Sequence, residues 1–272
     1  MAKPSSIHLA KVRPAAVAGS FYPADPIELR RMIEGFLSQV QLDAAPAPKA
    51  MIAPHAGYIF SGPIAASAYA QLASARSVIK RVILIGPSHF VPFAGLAAAG
   101  AEAFATPLGL VPVDTETVGR LCALPQVTLL DAAHAREHSL EVQLPFLQVL
   151  LADFQIVPLV VGKAADEEVA GVIDALWGGP ETRFVITSDL SHYQAYSRAR
   201  ELDAATGRAI EQLRPQDIAE AQACGRAPIR GLLCAARQHG LRARAVDLRN
   251  SGDTAGPRSQ VVGYGAFIFD NQ

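Results

Sequence analysis

Three apolar runs in this chain end the same way, in a short turn followed by a histidine, and that repeated device constrains the fold more than any other feature. Ala50–Ala53 leads to Pro54-His55, Val82–Ile85 to Gly86-Pro-Ser-His89, and Phe184–Thr187 to Ser188-Asp-Leu-Ser-His192. The runs are apolar at consecutive rather than alternate positions, the mark of interior strands covered by helices on each face. Ile156–Val161, Ala245–Leu248 and Val261–Phe269 predict three more strands.

Helical patterns lie between them, over Pro26–Val40, Ile64–Leu72, Thr115–Leu124, Leu140–Leu151, Asp166–Trp177, Arg198–Leu213 and Ile229–His239. Such alternation predicts an α/β fold: a single domain with a central mixed, mostly parallel sheet and helices on both faces. The last two strands, joined by the Gly- and Pro-bearing loop Asn250–Pro257, are expected to pair as neighbours at the sheet edge. The short Ala-Pro stretch Asp43–Lys49 connects the first helix to the first long strand.

With half of its 272 residues hydrophobic and 18% charged, the chain buries a full-sized core, which excludes disorder and coiled coil. A net charge of −1 without a Lys/Arg run leaves no field to hold nucleic acid. The three cysteines, Cys122, Cys224 and Cys234, are odd in number and form no CxxC pair, so a reducing compartment is expected. Met1–Ser20 does not read as a secretion signal and no apolar run is long enough to span a bilayer, which predicts a cytoplasmic protein without a membrane partner. Arginine far outnumbers lysine, as a GC-rich bacterial genome would write.

Open α/β sheets place ligands outside the carboxyl ends of their strands, where His55, His89, Asp189 and His192 are expected. A lone histidine is more often a hydrogen-bonded loop residue than a ligand. Three at strand ends favour a shared metal, because neutral imidazole is the commonest protein ligand. Glu137-His-Ser-Leu-Glu141 reads either as an acid-rich helix start or as a source of His138 or Glu141 as a proton carrier. Cys122 and Cys234 read as small buried hydrophobes, whereas Cys224, followed by Gly225 and Pro228, has the surroundings of a site. Nucleotide-binding and hydrolase-elbow motifs are absent.

Arg13-Pro-Ala-Ala-Val-Ala-Gly-Ser-Phe-Tyr-Pro23, Pro54-His-Ala-Gly-Tyr58, Gly86-Pro-Ser-His89, Glu137-His-Ser-Leu-Glu141, Ser188-Asp-Leu-Ser-His192 and Cys224-Gly-Arg-Ala-Pro-Ile229 resemble, in order, the motifs of the Memo family, down to a closing Val262-Gly-Tyr-Gly-Ala266. The family includes an animal mediator of cell motility and protein B of the AmmeMemoRadiSam system. The resemblance implies one Memo-like domain over 1–272, its core near 13–270, with a fold like the class III extradiol (LigB-type) dioxygenases. It implies a metal on His55, His89 and Cys224, with Fe(II) first and Cu or Zn as alternatives. It further implies His192, His138 and Asp189 as catalytic groups, and a substrate pocket including Tyr58, Glu141 and Ser88. Ala227 stands where animal relatives would carry a histidine, so one pocket wall is expected to differ.

Three functional readings stay open. The first is a non-haem-iron oxidoreductase acting on a small chelating or phenolic substrate; the second is a metal- or peptide-binding module without turnover; the third is a zinc hydrolase, since two histidines, a thiolate and water form a recognised catalytic zinc arrangement. The resemblance also implies a functional association with AMMECR1-like and radical SAM proteins.

Overall fold

Consecutive apolar side chains draw four parallel strands into the middle of an eight-stranded sheet. These are β2 (Ala50–Ala53), β3 (Arg81–Pro87), β8 (Gln155–Val161) and β9 (Thr182–Thr187), adjacent in the order β2-β9-β3-β8. Every residue of β2 and β9 is buried. The computed structural model describes residues 11–41 and 46–271. Part of the Ala-Pro stretch and the start of the N-terminal segment lie outside them.

On one flank β11 (Gly263–Asp270) runs antiparallel to β2 and carries β10 (Arg242–Asn250) antiparallel at the edge, the expected neighbour pairing. On the other, β4 (Leu96–Ala98) pairs antiparallel with β8 and parallel with β7 (Val127–Leu129). A small second sheet joins β1 (Val12–Arg13), β5 (Ala103–Thr106) and β6 (Gly109–Pro112). These five short strands escape the sequence reading because two to four residues are too few to show a strand pattern, and in β4, β5 and β6 alanine or glycine weakens it further.

The helices are α1 (Pro26–Leu37), α2 (Tyr58–Tyr69), α3 (Thr115–Leu121), α4 (Asp131–Ala135), α5 (Leu144–Leu150), α6 (Asp166–Ala175), α7 (Tyr196–Glu211) and α8 (Arg226–Gln238). They cover both faces of the sheet. Asp247 accepts a hydrogen bond from Ser67 of α2 at 2.8 Å, whereas the next residue, Leu248, faces Gly207 of α7. Among the described residues no helix is long and apolar enough to cross a membrane.

Helix α2 begins six residues before its expected start at Ile64. Its first turns are apolar all round and contain Gly62 and Pro63, which conceal the helical period. Gly62 is required by packing: a Cβ there would lie 2.4 Å from the Phe36 ring of α1.

A buried ion pair ties the N-terminal segment to the chain just before α5. The Glu141 carboxylate, fully buried, accepts hydrogen bonds from the Arg13 guanidinium, from Ala16 N at 2.8 Å, from Val17 N at 3.0 Å and from the Tyr22 hydroxyl at 2.6 Å. Removing the carboxylate would leave Arg13 charged and buried with only the His134 and Glu137 carbonyls, without its counter-ion. Glu141→Ala is therefore expected to destabilise the fold by about 3–5 kcal/mol, and Glu141→Gln by less, read from urea midpoints.

His134 is buried with its ring edge-on to Phe104 of the small sheet, and its Nε2 donates to Ala97 O of β4 at 3.0 Å. Burial pushes its pKa down to about 4. The unfolded chain takes up this proton near pH 6.5 and the folded chain only near 4, so stability is lost as pH falls between those values. His134→Leu should remove on the order of 3 kcal/mol of that acid-side loss, measured as the difference in unfolding free energy between pH 7.5 and 4.

Candidate metal centre

Parallel pairing brings the three motif-bearing strand ends to one level. Ala53 of β2 pairs with Thr187 of β9, and Ile186 of β9 with Ile85 of β3. The residues just beyond, His55, Asp189 and His89, therefore emerge side by side at the carboxyl edge of the sheet. His138 arrives from the segment before α5. Ring centroids lie 5.1 Å apart for His55 and His89, 5.6 Å for His55 and His138, and 4.7 Å for His89 and His138. One nitrogen from each of the three lies within 4.8 Å of the others.

The outer side of two rings is already occupied. His89 donates from Nδ1 to Glu137 Oε1 at 2.9 Å and from its backbone to Oε2 at 2.6 Å. Burial opposes ionisation of Glu137, but these bonds and the one from Ser139 N prevail and hold its pKa down to about 2. His55 Nδ1 lies 2.7 Å from the Thr187 hydroxyl, which also accepts from Gln143 Nε2 at 2.9 Å. Both histidines thus present Nε2 inward, each ring fixed in orientation through its other nitrogen.

Burial pushes the pKa of His55 far down and that of His138 to about 4, each helped by a neighbouring ring, so both stay neutral and keep a lone pair. The Cys224 sulfur sits 3.2 Å from His55 Nε2 and accepts from Asp189 N at 3.3 Å. Burial, then the Asp189 carboxylate, push the thiol up to about 12. Its approach depends on Gly225, where a Cβ would meet Thr187 O at 2.6 Å. Asp189 accepts from His55 N at 2.8 Å, yet burial still raises its carboxyl to about 6. His192 Nδ1 donates to Leu190 O at 2.7 Å.

His55, His89, His138, Asp189 and His192 floor a cavity of about 490 Å3 whose wall includes Phe21, Phe60, Tyr193, Val262 and Tyr264; Cys224 is not among its lining residues and meets the site through His55. A larger cavity of about 650 Å3 lies among Lys49, Trp177 and Arg183, but the ammonium of Lys49 is engaged by backbone carbonyls. Chemistry rather than size therefore singles out the histidine-floored cavity.

The structure brings His55, His89, Cys224, His138, Asp189 and His192 together. The three residues expected to line a substrate pocket stand behind its wall. Tyr58 is buried against Tyr22 and Phe146 and donates to Val142 O at 2.6 Å. Glu141 turns away to satisfy Arg13. Ser88 closes its own loop through Val91 O at 2.7 Å. Ala227 lies in the first turn of α8, packed against the core, and is not on the cavity wall. Sequence reasoning missed Glu137, Thr187 and Gln143 as supports of the histidines; only Glu137 carried a signal, as an acid beside His138. Cys122 is exposed rather than buried and Cys234 half-buried.

The Memo-like protein family model matches residues 13–268. A MEMO1 family protein of Ignicoccus hospitalis is 37% identical, the match covering 95% of this chain and 98% of the relative. The relative from Aquifex aeolicus is 35% identical over 95% and 99% of the two chains, and that from Aeropyrum pernix 38% over 94% and 99%. With the six motifs gathered around one cavity and the family's pattern running through nearly its whole length, this chain belongs to the Memo family.

Proposed function

We propose that this Memo-family chain binds a divalent metal at the histidine-floored cavity and acts there as a non-haem-iron oxidoreductase on a small chelating or phenolic substrate. The observation that carries this reading is the convergence of three imidazoles at the base of an open cavity, one of them 3.2 Å from the sulfur of Cys224. The residues fit such an ion. Two ligands of one tetrahedral centre, a nitrogen and a sulfur, stand about 3.5 Å apart. Two histidines are already aimed through their second nitrogens.

His55, His89 and Cys224 are the ligands in this reading, and the thiolate supplies the negative charge that a carboxylate gives in the usual facial arrangement. A bound Fe(II) would supply open positions for a chelating oxygen ligand; Cu or Zn would suit the softer sulfur. Asp189, whose carboxyl burial raises to about 6, exchanges its proton near neutrality. His192 and His138 flank the same cavity as proton carriers, and its aromatic wall excludes water from the occupant. A LigB-like fold and a reducing, cytoplasmic setting accord with this chemistry and with three cysteines that form no disulfide. Association with AMMECR1-like and radical SAM proteins belongs to the same proposal.

A second ligand set is favoured by one observation: His138, not Cys224, completes the tightest group of three donors. Elemental analysis of protein purified anaerobically without a metal-binding tag separates the two. About one iron per chain is expected in the wild type, with most of it lost in His55→Ala and Cys224→Ser and retained in His138→Ala. Loss in His138→Ala with retention in Cys224→Ser would exchange the third ligand. Zinc alone would turn the reading to hydrolysis, and no metal in any preparation would leave a binding module without turnover.

A further inference from the structure

The cavity that holds the proposed metal carries a strained residue that neither the metal nor the fold explains. Among the described residues two that are not glycine have φ in the left-handed region, Leu213 at +50° and Tyr193 at +54°. Leu213 is accounted for by helix termination. It follows the last residues of α7, its N–H reaches Ile210 O at 3.0 Å, and Arg214 N reaches back to Ala209 O at 2.8 Å, the paired bonds of a Schellman end.

Tyr193 has no such return. It lies three residues before α7 begins, and both neighbours are pinned: Gln194 O accepts from Val261 N at 2.8 Å, and His192 O accepts from Gln194 Nε2 at 3.2 Å. The surrounding bonds over-determine the strained backbone, as they must for strain to persist. The conformation leaves the tyrosine 71% exposed while its side chain lines the cavity, its ring centroid 5.9 Å from that of His192. Backbone strain and an exposed aromatic ring are two costs that, among the described residues, only the edge contact with His192 begins to offset.

The chemistry of the wall says what would offset them. Among the residues lining the cavity there is no Lys or Arg, and Asp189 supplies the only carboxylate. A carboxylate or phosphate group on the occupant would meet no cation away from the floor and would be repelled by Asp189 once ionised. Phe21, Phe60, Tyr264 and Val262 offer instead an apolar slot that suits a flat ring.

We propose that Tyr193 is a specificity-determining residue whose ring closes over the uncharged, apolar end of an aromatic chelator held on the metal. This rests on the metal reading above and deepens it to a substrate class: neutral aromatic chelators rather than acidic ones.

Anaerobic calorimetric titration of the Fe(II)-loaded protein with 4-methylcatechol and with 3,4-dihydroxybenzoate tests it, using wild type, Tyr193→Gly and Tyr193→Asn. Gly and Asn both accept the left-handed backbone, so one serves if the other folds poorly. The wild type is expected to bind 4-methylcatechol about tenfold more tightly than the carboxylate probe. Both variants should lose about tenfold for 4-methylcatechol, the worth of one good ring contact, while Tyr193→Gly melts a few degrees higher. Unchanged 4-methylcatechol affinity in the variants would overturn the role of Tyr193 with the metal reading intact. Equal or tighter binding of 3,4-dihydroxybenzoate would overturn the neutral substrate class, again with the metal reading intact. Binding of neither diphenol by wild-type protein would overturn the phenolic reading and this inference together.

Discussion

The register of three parallel strands is the constraint on which the site depends. Because β2, β9 and β3 run the same way and end at one level, one short loop from each is enough to place His55, Asp189 and His89 beside one another. A one-residue slip of β9 would exchange its two faces, taking Thr187 off His55 and Asp189 off the His55 backbone. Strands buried throughout resist such slips, since each residue has a packed counterpart on both sides. The fully apolar runs that identify the core therefore also hold the chemistry at its edge.

Two buried acids show how the surroundings decide what a carboxyl group can do. Glu137 accepts from the His89 ring, from the His89 backbone and from the backbone of His138 and Ser139, so its negative charge is solvated by the protein and its pKa falls to about 2. It serves as a fixed anion that orients an imidazole. Asp189 receives too few donors to offset its burial, and its pKa rises to about 6. One acid stays charged behind a proposed ligand, and the other, inside the cavity, is held much closer to its protonated form. Two carboxyl groups beside the same cluster of histidines thus differ in charge because of their burial and their donors.

What the sequence disclosed follows from which forces are local. Strand ends marked by Pro54, by Gly86-Pro87 and by Ser188 were legible because turn chemistry is written within a few residues, and so His55, His89 and His192 could be assigned to one edge. The destination of Glu141 was not legible. It is settled by Arg13, 128 residues away, whose buried guanidinium takes the carboxylate out of the pocket. Tyr58 was misplaced for a similar reason: its helix starts early, under cover of Gly62 and Pro63, and turns the ring into the core. The supports Thr187 and Gln143 were silent because a threonine at a strand end and a glutamine before a helix look like ordinary solvent-facing residues until their partners are known.

Cys224 shows what an interior site gains from being unready. Its thiol is held up to about 12 by burial and by Asp189, so in the protein alone it stays protonated, and a protonated sulfur resists oxidation. The neighbouring imidazoles are held neutral and add no positive charge to draw the proton off. A cation held at the proposed site between His55 Nε2 and the sulfur would favour the thiolate, and the proton released would appear beside Asp189, whose backbone N–H already faces the sulfur. In that proposal, occupancy, thiol ionisation and the protonation of Asp189 would be coupled through contacts of a few ångströms. Gly225 keeps that coupling possible, since any side chain at its position would push the cysteine loop away from Thr187 and Ser188 and separate the sulfur from the histidine.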